Sequence, residues 1–64
     1  MITVNGVAQE RVDETVYDLV QRLDIEPRGI AVAIDGEIIR RADWRDTPII
    51  NDSVIEIVTA VAGG

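Results

Sequence analysis

The 64-residue sequence has no cysteine and no histidine. The first absence removes disulfides, thiolate metal sites and thiol nucleophiles. The second removes the commonest general base and the commonest metal ligand. Positive charge is also in short supply. The formal net charge is −6, which argues against a nucleic-acid partner, because phosphate-backbone binding needs clustered Lys and Arg. That balance suits a protein that meets basic partner surfaces. No basic segment followed by an apolar stretch opens the chain, so nothing signals secretion. The longest uninterrupted apolar run, Ile30 to Ile34, is far shorter than the roughly 20 residues a membrane helix needs. The expectation is a cytoplasmic protein with no membrane contact. Internal repeats, low-complexity segments and linkers are absent as well, so the chain reads as one small domain. A chain this short buries only about 60% of its unfolded surface and has little stability to spare.

Met1 to Val4 reads as a strand with Ile2 and Val4 on one face. Asn5-Gly6 is the strongest short hairpin signal, since a type I′ turn needs positive φ at both central residues. Val7 to Val12 is then the return strand; its interior Gln9, Glu10 and Arg11 suit an exposed sheet edge. Thr15 is placed to cap a helix, with Asp18 in the capping-box position. Val16, Leu19, Val20 and Leu23 form one apolar stripe at helical spacing. Asp13, Glu14 and Asp18 favour the positive end of the helix dipole and read as a solvated face, since nothing draws them together as metal ligands. Pro27 and Gly29 are the expected stop.

A second strand pair follows. Ile30, Val32 and Ile34 alternate with Ala31 and Ala33, Asp35-Gly36 is another I′-type turn, and Glu37 to Arg40 returns. Arg41 to Pro48 is irregular, with room for a short 3₁₀ turn, and Trp44 within it is expected to cover a core edge. Asn51-Asp52-Ser53 is a turn cluster before a last strand, Val54 to Thr59. The order is β-β-α-β-β-turn-β, an α+β domain in which one helix covers one face of a mixed sheet. Val16, Leu19, Val20, Leu23, Val32, Ile34, Ile55 and Ile57 are the expected core. The small apolar residues Ala31, Ala33, Val54 and Val58 alternate with the bulky set and fall on the open face, where apolar surface usually marks a partner site. Ala31, Ala33, Val58 and Ala60 are the candidate contacts.

The sequence ends Val61-Ala62-Gly63-Gly64, directly after its most strand-like run. The expected division is a domain over residues 1–60 and a flexible tail over residues 61–64. Glycines have no side chain to obstruct a narrow channel, and four extended residues reach roughly 13 to 14 Å. A terminal carboxylate is ionised at neutral pH, with a reference pKa of roughly 3.3 to 3.7. It can act as a weak oxygen nucleophile.

Size, element order and ending resemble the ubiquitin-like β-grasp sulfur carriers, most nearly those of thiamine biosynthesis, the ThiS family. The resemblance spans the whole chain. It rests on the Asn5-Gly6 hairpin, the helix from Thr15-Val16 through Leu19 to Leu23, the run Ala31-Val32-Ala33-Ile34-Asp35-Gly36-Glu37-Ile38-Ile39, the following Trp44, and the Val61-Ala62-Gly63-Gly64 end. Two turns depart from the family pattern: Arg40-Arg41 stands where a proline is usual, and Asn51-Asp52 where Gly-Asp is frequent.

The resemblance implies a carrier with no catalytic residues and no bound cofactor or metal. Gly64 would be adenylated with ATP by an E1-like adenylyltransferase of the ThiF/MoeB type. A sulfur donor protein would convert the adenylate to a thiocarboxylate, and a thiazole synthase of the ThiG type would take the sulfur. Two neighbouring roles share the first chemical step: the small subunit of molybdopterin synthase, and a ubiquitin-like modifier joined through Gly64 to lysines. A plain interaction module with an incidental Gly-Gly ending is the remaining alternative.

Overall fold

The computed structural model describes residues 1–59. Over them the chain forms a five-stranded sheet crossed on one face by a single helix. In chain order the elements are β1 (Ile2–Val4), β2 (Val7–Gln9), α1 (Val16–Arg22), β3 (Ile30–Ile34), β4 (Glu37–Ile39), a 3₁₀ segment (Arg41–Asp46) and β5 (Val54–Thr59). The strand order is β2-β1-β5-β3-β4. β1 and β5 run parallel; the other neighbours are antiparallel. This is the β-grasp arrangement anticipated from the residues.

Both hairpins form where the turn chemistry places them. Asn5 and Gly6 have φ of 50° and 83°, and Asp35 and Gly36 have 51° and 86°, the left-handed pairs a type I′ turn requires. The helix start is also as expected. Thr15 Oγ1 accepts from the Asp18 N–H at 3.2 Å, and Asp18 Oδ2 accepts from the Thr15 N–H at 3.0 Å. The short Asp side chain therefore closes the reciprocal box.

The helix end is not as expected. It closes at Leu23, ahead of Pro27 and Gly29, in a Schellman motif. The Asp24 N–H donates to the Gln21 carbonyl at 3.1 Å and the Ile25 N–H to the Val20 carbonyl at 3.4 Å. Asp24 takes the left-handed position, φ 57°, which Asp tolerates better than most residues. β2 is also shorter than Val7 to Val12. It stops at Gln9, and Arg11 is drawn to Asp13 at 3.1 Å and to the Ile49 carbonyl at 3.4 Å instead of the sheet. β4 ends at Ile39, one residue early, because Arg40 already caps the 3₁₀ segment.

The core is Ile2, Val4, Val16, Leu19, Val20, Val32, Trp44, Ile49, Ile55 and Ile57. Leu23 and Ile34, expected inside, are only half-buried and pack against its rim. Leu23 is the last residue before the chain leaves the helix, and Ile34 the last before its hairpin. Trp44 is fully buried and its indole N–H donates to the Ile39 carbonyl at 3.0 Å. Ile49 is buried because residues 47–49 run against the helix entrance: the Val16 N–H reaches the Thr47 carbonyl and the Ile49 N–H the Glu14 carbonyl, each at 2.9 Å. Glu14 in turn receives a two-pronged contact from Arg22, at 2.8 and 3.1 Å, with its side chain only 6% exposed.

Candidate functional site

β5 is the middle strand of the sheet and the element that leads towards Gly63-Gly64. Three independent attachments hold it. Its start is gripped by the second hairpin: Asp35 Oδ1 accepts from the Val54 N–H at 2.9 Å, while the Asp35 N–H donates to the Val54 carbonyl at 2.8 Å. Its length is paired with β3 from Ile34 opposite Ile55 to Ile30 opposite Thr59. On its other edge the β1 pairing covers only Thr3–Val54 and Val4–Ile55. Beyond that the Asn5 side chain takes over, accepting from the Ile57 N–H at 2.8 Å and donating to the Ile57 carbonyl at 3.1 Å. The strand is thus fixed within two residues of its last described position.

The open face carries the candidate contacts. Val58 lies opposite Ala31, and Glu56, Ala33 and Ile38 form a row across β5, β3 and β4. Ala31, Ala33, Gly36, Ile38, Glu56 and Val58 line a shallow groove of about 260 Å³. It exists because two alanines on the middle of the three strands are flanked by larger residues: Val58 is 55% exposed and Ile38 63%. Three of the four expected contacts, Ala31, Ala33 and Val58, therefore share one groove. Ile38 was missed, although the adjacent pair Ile38-Ile39 on a strand must send one isoleucine to each face. Ala60, and with it the tail residues Val61, Ala62, Gly63 and Gly64, lies outside the described residues.

The groove offers one carboxylate, Glu56, and otherwise apolar surface. Among the described residues no three acidic side chains converge as metal ligands would. The two perturbed ionisations lie elsewhere. Hydrogen bonds from the Arg28 backbone and guanidinium hold the exposed Glu26 carboxyl below its ordinary range. The hydrogen bond to Glu14 raises the Arg22 guanidinium. What the described part of the site provides is a fixed strand, an apolar groove beside it, and no catalytic constellation. No helix among the described residues is long and apolar enough to cross a membrane.

A mixed sheet of order β2-β1-β5-β3-β4 grasping one helix, with its central strand pinned on both edges, defines a β-grasp domain. The ThiS family model matches residues 2–64, and the chain belongs to that family. It is 25% identical to the sulfur carrier protein ThiS of Thermus thermophilus, with both chains covered completely. The crystal structure of the thiamine biosynthesis protein ThiS from Geobacter metallireducens superposes with a TM-score of 0.79 at 22% identity, covering 98% of this chain and 97% of that one. The solution structure of the same Geobacter protein gives 0.74 at 22% identity, covering 98% and 86%. At that identity the structures speak for the fold.

Proposed function

We propose that the chain carries sulfur for thiamine biosynthesis on the carboxyl group of Gly64. It is a co-substrate and not a catalyst. An E1-like activating enzyme of the ThiF/MoeB type presents ATP; the Gly64 carboxylate attacks the α-phosphate and pyrophosphate leaves. Sulfide released by a donor protein then attacks the acyl carbon, a C–S bond forms, the C–O bond to AMP breaks and the sulfide proton goes to solvent. The resulting thiocarboxylate passes its sulfur to a thiazole synthase of the ThiG type, which builds the thiazole ring. The chain itself holds no cofactor, and the reading places it in the cytoplasm. The open-face groove of Ala31, Ala33 and Val58 docks these enzymes, with Ala60 as a further contact, while residues 61–64 enter their active sites.

The observation that carries this reading is family membership whose match runs through Gly63 and Gly64. The pinned central strand that leads to them supports it. The test is to incubate the protein with ATP, a cognate activating enzyme and a sulfur source, then take an intact mass. The reading expects one oxygen replaced by one sulfur. A product joined to a target lysine by an isopeptide would favour the modifier role, and sulfur delivery to a molybdopterin synthase would favour that pathway.

A further inference from the structure

Glu56 stands in the middle of the open face. It is exposed, and it is the one charged residue among those that line the groove; the others are Ala31, Ala33, Gly36, Ile38 and Val58. Register places Ala33 between Glu56 on β5 and Ile38 on β4. The row from Glu56 to Ile38 therefore spans two strand spacings, about 10 Å. Val58 and Ala31 form the next row on the same face. No described arginine lies within ion-pair distance of the Glu56 carboxylate.

In the free protein this arrangement costs little, because water solvates the carboxylate. A partner that covers the groove removes that water. A desolvated carboxylate opposes binding unless a cation meets it. The floor constrains the shape of that cation. Ala31 and Ala33 reach no further than Cβ, which leaves room for an aliphatic stem. Arg and Lys lay such stems along apolar surface while the charged head reaches a polar group.

A second copy of this chain does not fit the same face. A two-fold interface presents one patch from both sides, and this patch holds a carboxylate with no cation to answer it. The net charge of −6 repels further copies. The same field steers a basic partner surface towards the chain.

We propose that Glu56 is the specificity-determining residue of the open face, and that the occupant of the groove is a single basic side chain of the docked enzyme, an arginine or lysine. Its aliphatic stem lies over Ala31 and Ala33, flanked by Ile38 and Val58, and its charged head pairs with the Glu56 carboxylate. The inference rests on the reading that the open face docks the activating enzyme, and it names the chemistry that enzyme must present there.

The test is titration calorimetry of the full-length protein with the cognate activating enzyme. The variants are Glu56→Gln, Val58→Asp and Glu10→Gln, each with its unfolding curve. Glu10 is exposed and lies past the end of β2, on the far edge of the sheet from the groove, so its variant loses the same charge elsewhere. Glu56→Gln should keep the parent's stability and raise the dissociation constant at least about thirtyfold, as loss of one member of a buried charge pair does. Glu10→Gln should stay within about twofold of the parent. Equal weakening by Glu56→Gln and Glu10→Gln would overturn the inference, because Glu56 would then add only to the general field. Glu56→Gln binding as well as the parent or better, while Val58→Asp binds weakly, would overturn it and leave open-face docking standing. If both Glu56→Gln and Val58→Asp bind like the parent, the docking reading falls and the inference falls with it. A parent that sediments as a dimer altered by Glu56→Gln would give the groove to a second copy, which also overturns the inference.

Discussion

The side-chain amide of Asn5 pairs with the peptide of Ile57 in both directions, at 2.8 and 3.1 Å, and so continues the β1–β5 ladder past the point where β1 has already turned away. One residue thus serves two ends. Its left-handed φ of 50° makes the hairpin, and its side chain fixes the strand that carries the proposed reacting tail. Asn5→Gly keeps the positive φ and deletes only the amide, so it isolates the second role. It should cost about 1 to 3 kcal/mol, the penalty for leaving partly buried peptide groups unpaired, measured by urea unfolding. The Ile57 amide should lose hydrogen-exchange protection. A stability change within error would mean that the β3 pairing fixes this end of β5 without the Asn5 amide.

Much of this is legible in the residues alone. Asn5-Gly6 and Asp35-Gly36 announce their turns because so few residues accept positive φ at two successive positions, and Thr15 with Asp18 announces a helix start. What could not be read locally depends on contacts distant in sequence. Ile49 and Ile50 are indistinguishable by type, and only the pairing of residues 47–49 with the helix entrance buries the first and exposes the second. The Schellman close at Asp24 was hidden because Asp carries a weaker left-handed signal than the later Gly29. The clamp from Asn5 to Ile57 spans 52 residues, and periodicity has no access to it. At the site, the small-residue alternation marked Ala31, Ala33 and Val58. The groove also needs Ile38, whose facing follows from its register with Ala33.

Leu19 is fully buried beneath the sheet. Leu19→Ala should cost about 2 to 5 kcal/mol, against a total of roughly 3 to 10 kcal/mol for a chain of this length. Thermal unfolding followed by circular dichroism should show a sharply lowered midpoint or a chain already unfolded at room temperature. A change of under about 1 kcal/mol would contradict the placement of the core.

Val58 projects from the open face beside Ala31. A charge there is solvated in the free protein and desolvated only in a complex. Val58→Asp should leave the unfolding curve unchanged and weaken binding of the activating enzyme. If the folded variant binds the enzyme as well as the parent does, docking occurs elsewhere on the surface.

Deleting Gly64 shortens the tail by about 3.5 Å, and a misplacement of even about 1 Å can cost roughly a hundredfold in rate. The truncated chain should fold normally and still compete with the parent for the activating enzyme, yet support no exchange of pyrophosphate into ATP. Full exchange activity after the deletion would remove Gly64 from the chemistry.

The most direct measurement follows labelled sulfur through the whole sequence. Protein charged with isotopically heavy sulfur in the presence of ATP and the activating enzyme is mapped by mass spectrometry, then mixed with thiazole synthase and its other substrates. The account predicts heavy sulfur only on the Gly64 carboxyl, its disappearance from the protein on mixing, and its appearance in the thiazole product. Heavy sulfur on any other residue, or thiazole formed while the label stays on the protein, would contradict it.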